Sequence, residues 1–347
     1  VSSTPWSRPA TSKPKERRMS KQMLTVDGLQ YSNWSREIFE QMREGGVDAV
    51  HATLVYHETL RETLTRIGEW NRRFEAHSDL IMPVQAPGDI QRARDAGKVG
   101  IFFGAQNCSP IEDDIDMVAV LRQLGLLIMQ LTYNNQSLLA CGCYESEDSG
   151  ITRFGRQVIR EMNRVGMVID MSHSSERSTL EAIEISERPV IISHANPSFF
   201  QDAKRNKSDK VLKAIAENDG LLGFSAYPFH LKNGPDCTLE DYCDMIARTV
   251  DMMGIEHVGL GTDLCQNQPT SVLEWMRNGR WSKEMDYGEG SANNAGWPKP
   301  LAWLRDSRDF PNLIEGLRAK GFAEQEVARI MGRNWVELLE RSTTPLR

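Results

Sequence analysis

Gly166-Met-Val-Ile-Asp-Met-Ser-His173 and Pro189-Val-Ile-Ile-Ser-His194 decide the fold. Each is a short apolar run that breaks off in Ser-His, and a helix-like segment, Ser174–Glu187, lies between them. Six more such runs recur along the chain: Thr25–Leu29, Val47–Leu54, Val99–Gln106, Leu126–Tyr133, Leu221–Tyr227 and His257–Asp263. Eight buried strands alternating with helices predict a closed (β/α)8 TIM barrel, in which the carboxyl ends of the strands form the active face. Three of those ends carry chemistry: His173, His194 and, after Gly-Leu-Gly-Thr, Asp263.

The intervening helices read clearly. Ser35–Glu44 runs into Gly45-Gly46, a helix stop before the second strand. Glu58–His77 is long and amphipathic, Gly88–Ala96 is short, and Glu112–Leu124 places acids in its first turn, where they suit the helix dipole. Thr152–Arg164, Ser208–Asn218 and Leu239–Met253 follow, Ser208 being a good N-cap, and residues 311–342 supply two closing helices.

Composition bounds the rest. The 347 residues suffice for one barrel, 40% are hydrophobic and 26% charged, and no apolar run is long enough to span a membrane. Residues 1–22 differ: six Lys/Arg stand against one acid, with three Pro and no apolar stretch, which predicts a disordered basic tail ahead of a single barrel over 23–347. Without that tail the net charge of −7 becomes about −12, which excludes a nucleic-acid binder by bulk charge. Six Cys with no disulfide framework predict a reducing, cytoplasmic setting. Between about 264 and 306 the βα pattern breaks, and four of the eight Trp gather there (Trp275, Trp281, Trp297, Trp303). A segment after the last strand sits at the active face, so a lid or an oligomer contact is expected, with a packed cap as the plain alternative.

A lone His at a strand end more often serves structure. Two in the same context on consecutive strands, about 5 Å apart, can reach one cation. Asp263 can act there as ligand or general base, or merely cap a helix. Arg205-Asn206-Lys207 lies in the loop after the sixth strand, where a basic side chain can hold a substrate carboxylate or simply be solvated.

At this level of detail the chain resembles the membrane (renal) dipeptidase family, peptidase family M19, of the amidohydrolase superfamily. The resemblance rests on Gly150-Ile-Thr-Arg-Phe-Gly-Arg156, on Glu161 through Ser-His173, on Ser-His194, Arg205-Asn206, His257 through Asp263, and on Gly332-Arg-Asn-Trp335, all in family order. It runs from about residue 23 to 342 and implies a (β/α)8 homodimer that hydrolyses dipeptides at a two-zinc centre. By that resemblance His173 and His194 would hold the second metal, Arg205 would receive the substrate carboxylate and Asp263 would shuttle protons.

The departures fall on the first metal. The family's Asp-Gly-His-x-Asp reads Asp27-Gly28-Leu29-Gln30-Tyr31 here, and its Gly-x-Glu-Gly reads Gly104-Ala105-Gln106-Asn107. The position of a substrate-binding His found in some members is Tyr133. Replacing Glu by Gln and Asp by Tyr removes two negative charges that would offset a dizinc centre, and Leu29 removes a nitrogen donor. One zinc per chain is therefore expected at His173 and His194, with the first-metal position empty and Gln106, Tyr31, Tyr133, Arg205 and Asn206 facing the substrate.

Three functions are compatible with these residues. The first is a dipeptidase-like metallohydrolase cleaving an amide-type C–N bond in a small carboxylate-bearing substrate. The second is an enzyme for a small N-methylated or betaine-like amino acid, since Tyr31, Trp34, Tyr133 and Tyr227 can face the mouth and aromatic faces favour ammonium groups. The third is a metal-free binding protein on the same scaffold. In every case the partner is a small molecule, not a nucleic acid or a membrane.

Overall fold

The computed structural model describes residues 23–288 and 290–346; the basic tail, residues 1–22, lies outside the described residues. Among the described residues nine parallel strands are present: β1 (Val26–Gln30), β2 (Ala49–Val55), β3 (Ile81–Pro83), β4 (Val99–Ala105), β5 (Leu126–Gln130), β6 (Val168–Asp170), β7 (Val190–Ala195), β8 (Leu221–Phe224) and β9 (Val258–Leu260). Eight of them close on one another, because β2 pairs with both β1 and β4 while β1 pairs with β9. This is the (β/α)8 barrel. The ninth, β3, was not among the expected runs; it pairs with Val99–Ile101 at the start of β4, and β5 takes Phe103–Ala105.

Local sequence sets the helices. Ser35, Thr152 and Ser208 each accept a hydrogen bond from a backbone N–H three residues on, as N-caps do, so the helices begin at Arg36, Arg153 and Asp209. Thr59 and Glu62 form a reciprocal capping box that starts Leu60–Ala76. The helix Leu239–Met253 has the bounds its sequence predicts. Residues 310–342 form Phe310–Lys320, Glu324–Ala328 and Asn334–Ser342, the last two joined by a π-turn.

The strands are shorter than their apolar runs. β6 stops at Asp170 and β9 at Leu260, so His173 and Asp263 each stand three residues beyond the ladder. Their side chains can then turn over the barrel mouth instead of alternating in and out. At the opposite end the late Gly332-Arg-Asn-Trp335 has a structural reason: Trp335 is fully buried and donates to the Leu260 carbonyl at 2.7 Å, and Asn334 donates to those of Ile255 and Val258. Inside the barrel, His51 occupies the space a side chain at residue 104 would need, for a Cβ on Gly104 would overlap its ring. Gly261 is required in the same way, by the Ser193 carbonyl.

No helix among the described residues is long and apolar enough to cross a membrane, and all six cysteines are free thiols.

Candidate functional site

The two Ser-His strand ends meet. His173 Nε2 and His194 Nε2 lie 3.1 Å apart, and both residues are buried. A hydroxyl and carboxylate network fixes them from below. Asp170 accepts from the Ser172 N–H (3.0 Å), the Ser172 hydroxyl (2.6 Å), the Ser193 N–H (3.0 Å) and the Ser193 hydroxyl (2.5 Å). Ser193 Oγ lies 2.7 Å from His194 Nδ1, and the His194 N–H donates to Ser172 Oγ. On the other side, His173 Nδ1 stands 2.6 Å from Asn134 Oδ1, and the His173 N–H donates to Gln130 Oε1. Burial, followed by the charge of Arg205, pushes both imidazole pKa values well below the ordinary value.

Asp263, three residues past β9 and with φ of 64°, lines one cavity with His173. Burial pushes its carboxyl up to about 7, against a lowering by Arg205. Below it Asp27 bridges β1 and β9 by accepting from Thr262 N and Oγ1 and from Gln30 Nε2, and burial raises it to about 6.

Arg205 is 2% exposed and lines the cavity, but its guanidinium is also a clamp: it donates to the carbonyls of Ser172 and, at 3.1 Å, His194. Lys207 does likewise two residues on, donating to Met171 and Ser174 carbonyls. Asn206 does not face the substrate space. Its side chain accepts from the Asn196 N–H and donates to the carbonyls of Gln201 and His230, because the loop it belongs to has to be held over β7. Trp34 is also elsewhere, packed between Phe39 and Trp70 under the outer helices.

Tyr31, Gln106 and Tyr133 do line the cavity, with Tyr144, Tyr227, Tyr287 and Phe229. Tyr133 stacks on the His173 ring at 4.0 Å. The roof comes from the segment after the last strand: Leu273, Met276 and Arg277 of the helix Thr270–Asn278, then Asp286 to Gly288. Its tryptophans divide. Trp275 donates to Glu58 and Trp297 packs on Tyr31, whereas Trp303 packs on Tyr242 in the core and Trp281 is exposed. His230, beside Tyr227, was not singled out from the sequence.

Which metals these residues fit follows from their donors. At the first-metal position Leu29 is fully buried and Tyr31 nearly so, packed with Tyr56 and Tyr133 in one aromatic cluster. A two-metal centre does not fit there. Two nitrogens each bonded to one tetrahedral zinc stand about 3.3 Å apart, so the spacing of His173 and His194 fits a single ion. Among the described residues no three His, Cys, Asp or Glu gather as a ligand set. The Gln106 amide oxygen, 3.0 Å from His173 Nε2, is the further oxygen beside the pair.

Comparison with known proteins gives a consistent picture. The membrane dipeptidase family, peptidase family M19, matches residues 19–275. Dipeptidase tcpJ of Claviceps purpurea is 26% identical over 295 residues, 84% of this chain and 61% of that protein. Dipeptidase verJ of Clonostachys rogersoniana is 28% identical over 288 residues, 82% of this chain and 66% of that one. The chain thus spans about three-fifths of the length of the curated relatives it matches. Among solved structures, an amidohydrolase from Pseudomonas aeruginosa is 36% identical with a TM-score of 0.89, covering 94% of this chain and 98% of that one. A metallopeptidase from Rhodobacter sphaeroides, liganded with a phosphinate mimic of L-Ala-D-Ala, shares the fold at 18% identity and a TM-score of 0.77, over 92% of this chain and 99% of that one.

Proposed function

Since the chain belongs to the membrane dipeptidase family, peptidase family M19, we propose that it is a hydrolase of an amide-type C–N bond in a small carboxylate-bearing substrate, with one divalent metal held by His173 and His194. The observation that carries this reading is the pair of imidazole nitrogens 3.1 Å apart, with His173 lining the same cavity as Asp263. Zinc held there would supply Lewis acidity for a carbonyl and for water. The chain's own groups do the rest. Asp263, with its pKa near neutrality, takes a proton from attacking water and returns it to the leaving nitrogen. Arg205 brings a fixed positive charge to the cavity wall, where a substrate carboxylate would meet it. Gln106 keeps an amide nitrogen without a protein partner, a donor for the carbonyl oxygen as charge develops on it. Tyr31 and Tyr133 wall the substrate in, and the roof helix excludes water.

A second reading is favoured by the lining itself. Five tyrosines border the cavity, and aromatic faces bind alkylated ammonium groups. A small N-methylated amino acid would satisfy Arg205 through its carboxylate and the tyrosines through its nitrogen.

Elemental analysis of purified protein, followed by turnover assays with L,L-dipeptides against N-methylated amino acids, tests both. One zinc per chain and weak dipeptide hydrolysis are expected. Two tightly held zinc ions per chain would overturn the single-metal assignment. Stoichiometric binding of a panel member without metal or turnover would leave a binding protein.

A further inference from the structure

Asp170 touches neither the cavity nor the two histidines, yet it is fully buried and collects four donors from the two Ser-His motifs. A carboxylate in that position is costly unless its oxygens are satisfied, so the arrangement has a use. Oδ1 takes both backbone N–H groups and the Ser172 hydroxyl; Oδ2 takes only the Ser193 hydroxyl. Burial raises the Asp170 carboxyl and its four donors oppose that; with Asp170 ionised, the one proton of Ser193 is given to it at 2.5 Å. The 2.7 Å contact between Ser193 Oγ and His194 Nδ1 can then be made only one way, with Nδ1–H donating to the serine oxygen. His194 is left with a bare Nε2 lone pair, aimed at His173.

We propose that Asp170, acting through Ser193, is a positioning residue that fixes the Nδ1–H tautomer of His194 and so keeps its Nε2 free to bind an electrophile beside His173. His173 is not fixed in this way: its Nδ1 lies 2.6 Å from Asn134 Oδ1 and its Nε2 3.0 Å from Gln106 Oε1, and a neutral ring donates to only one of the two. The His194 lone pair, 3.1 Å from His173 Nε2, can accept a proton from that ring or bind a cation. The Ser-His repetition therefore has a chemical meaning: each serine serves the Asp170 knot, and only Ser193 sets a tautomer. The use of the lone pair for metal rests on the proposed function; the tautomer does not.

The test follows from the geometry. In Asp170→Asn the two backbone N–H groups hold the amide oxygen at the Oδ1 position, so the amide nitrogen faces Ser193 and donates to it. Ser193 then turns its own proton to His194 Nδ1, and the ring becomes protonated at Nε2. Long-range 15N–1H NMR of the metal-free protein distinguishes the two forms. The parent should show Nδ1–H at His194 and Asp170→Asn should show Nε2–H; an unchanged tautomer in the variant, or Nε2–H in the parent, overturns the proposal. Zinc affinity, read by competition with a chromophoric chelator, should fall about 10–100-fold in the variant, as for other outer-shell partners. If Asp170→Asn does not fold, Ser193→Thr should keep the parent spectrum and Ser193→Ala should lose the defined Nδ1–H; identical spectra for these two overturn it as well. A parent that binds no zinc but shows Nδ1–H at His194 would sink the metallohydrolase reading alone.

Discussion

The barrel mouth has two halves built on opposite principles. At β6 and β7, Asp170, Ser172, Ser193, His173 and His194 form a polar network in which each buried group meets another. At the ends of β1, β2 and β5, Leu29, Tyr31, Tyr56 and Tyr133 form an aromatic cluster, and polar atoms such as Tyr56 Oη and, just past β4, Gln106 Nε2 have no protein partner. On the proposed function the first half holds an ion, and the second, its space filled with ring carbons, does not.

Deleting an imidazole from the polar half gives the largest effect. His173→Ala should reduce bound zinc to background and take turnover with it, while Tyr133→Phe, which keeps the stacked ring, should leave the metal in place. Metal analysis of both variants checks this. Zinc retained in full by His173→Ala would mean that the ion sits elsewhere and that the halves differ only in appearance.

Asp263 lies at the seam, just past β9 and beside β1. Asp263→Asn should lower turnover by about 10²–10⁴ and remove the limb that rises through pH 7 as the base ionises. Stability should move oppositely. The folded carboxyl holds its proton to about pH 7 against an ordinary value of 3.8, so the parent loses stability as pH rises across that window. The variant is spared that loss and should gain on the parent from about pH 4 to pH 7, with a slope of at most roughly 1.4 kcal/mol for each step of one in pH. Urea melts at a series of pH values read this difference. A constant difference would place the carboxyl in ordinary solvent.

Much of this was legible beforehand. The strand-end rule put His173 and Asp263 on one cavity and His194 against His173, and serine and threonine caps marked the helix starts. β3 was not legible because Ile81-Met82-Pro83 is three residues long and carries no periodicity. Asn206 and Trp34 were misplaced because their side chains answer to distant neighbours, the His230 carbonyl and Trp70, which no local pattern reveals. Asp170 had a signal that could have been used. A carboxylate inside an otherwise apolar strand needs several donors, and the two nearby Ser-His serines were the available ones.

Restoring the family pattern tests the aromatic half from the other side. Leu29→His, Tyr31→Asp and Gln106→Glu together should raise bound zinc from one towards two per chain, and no single change should do so. Tyr31 touches both Tyr56 and Trp297, so the triple variant should also lose about 3–5 kcal/mol, the usual cost of removing a large buried side chain. Elemental analysis and a denaturant melt on one preparation give both numbers. A second zinc from Gln106→Glu alone would show that the cluster is no barrier.

The smallest effect is the sharpest comparison, because it removes one oxygen from each half. Ser172→Ala takes away a hydroxyl that donates to Asp170 at 2.6 Å and accepts from the His194 N–H, so it leaves two buried partners short of a bond. Tyr56→Phe takes away a buried hydroxyl that has no protein partner. Hydrogen bonds to a charged group contribute about 1.5–3 kcal/mol, and an unpaired buried polar group costs about 1–3 kcal/mol. The serine variant should therefore be destabilised by about 2–3 kcal/mol. The tyrosine variant should be unchanged, or stabilised by about 1 kcal/mol, since it sheds a group that burial penalises. Each value is measurable as a shift in denaturation midpoint at constant m-value. Equal losses in the two variants would mean that the Tyr56 hydroxyl is satisfied by ordered water, and that the aromatic half is wetter and closer to a binding site than its packing suggests.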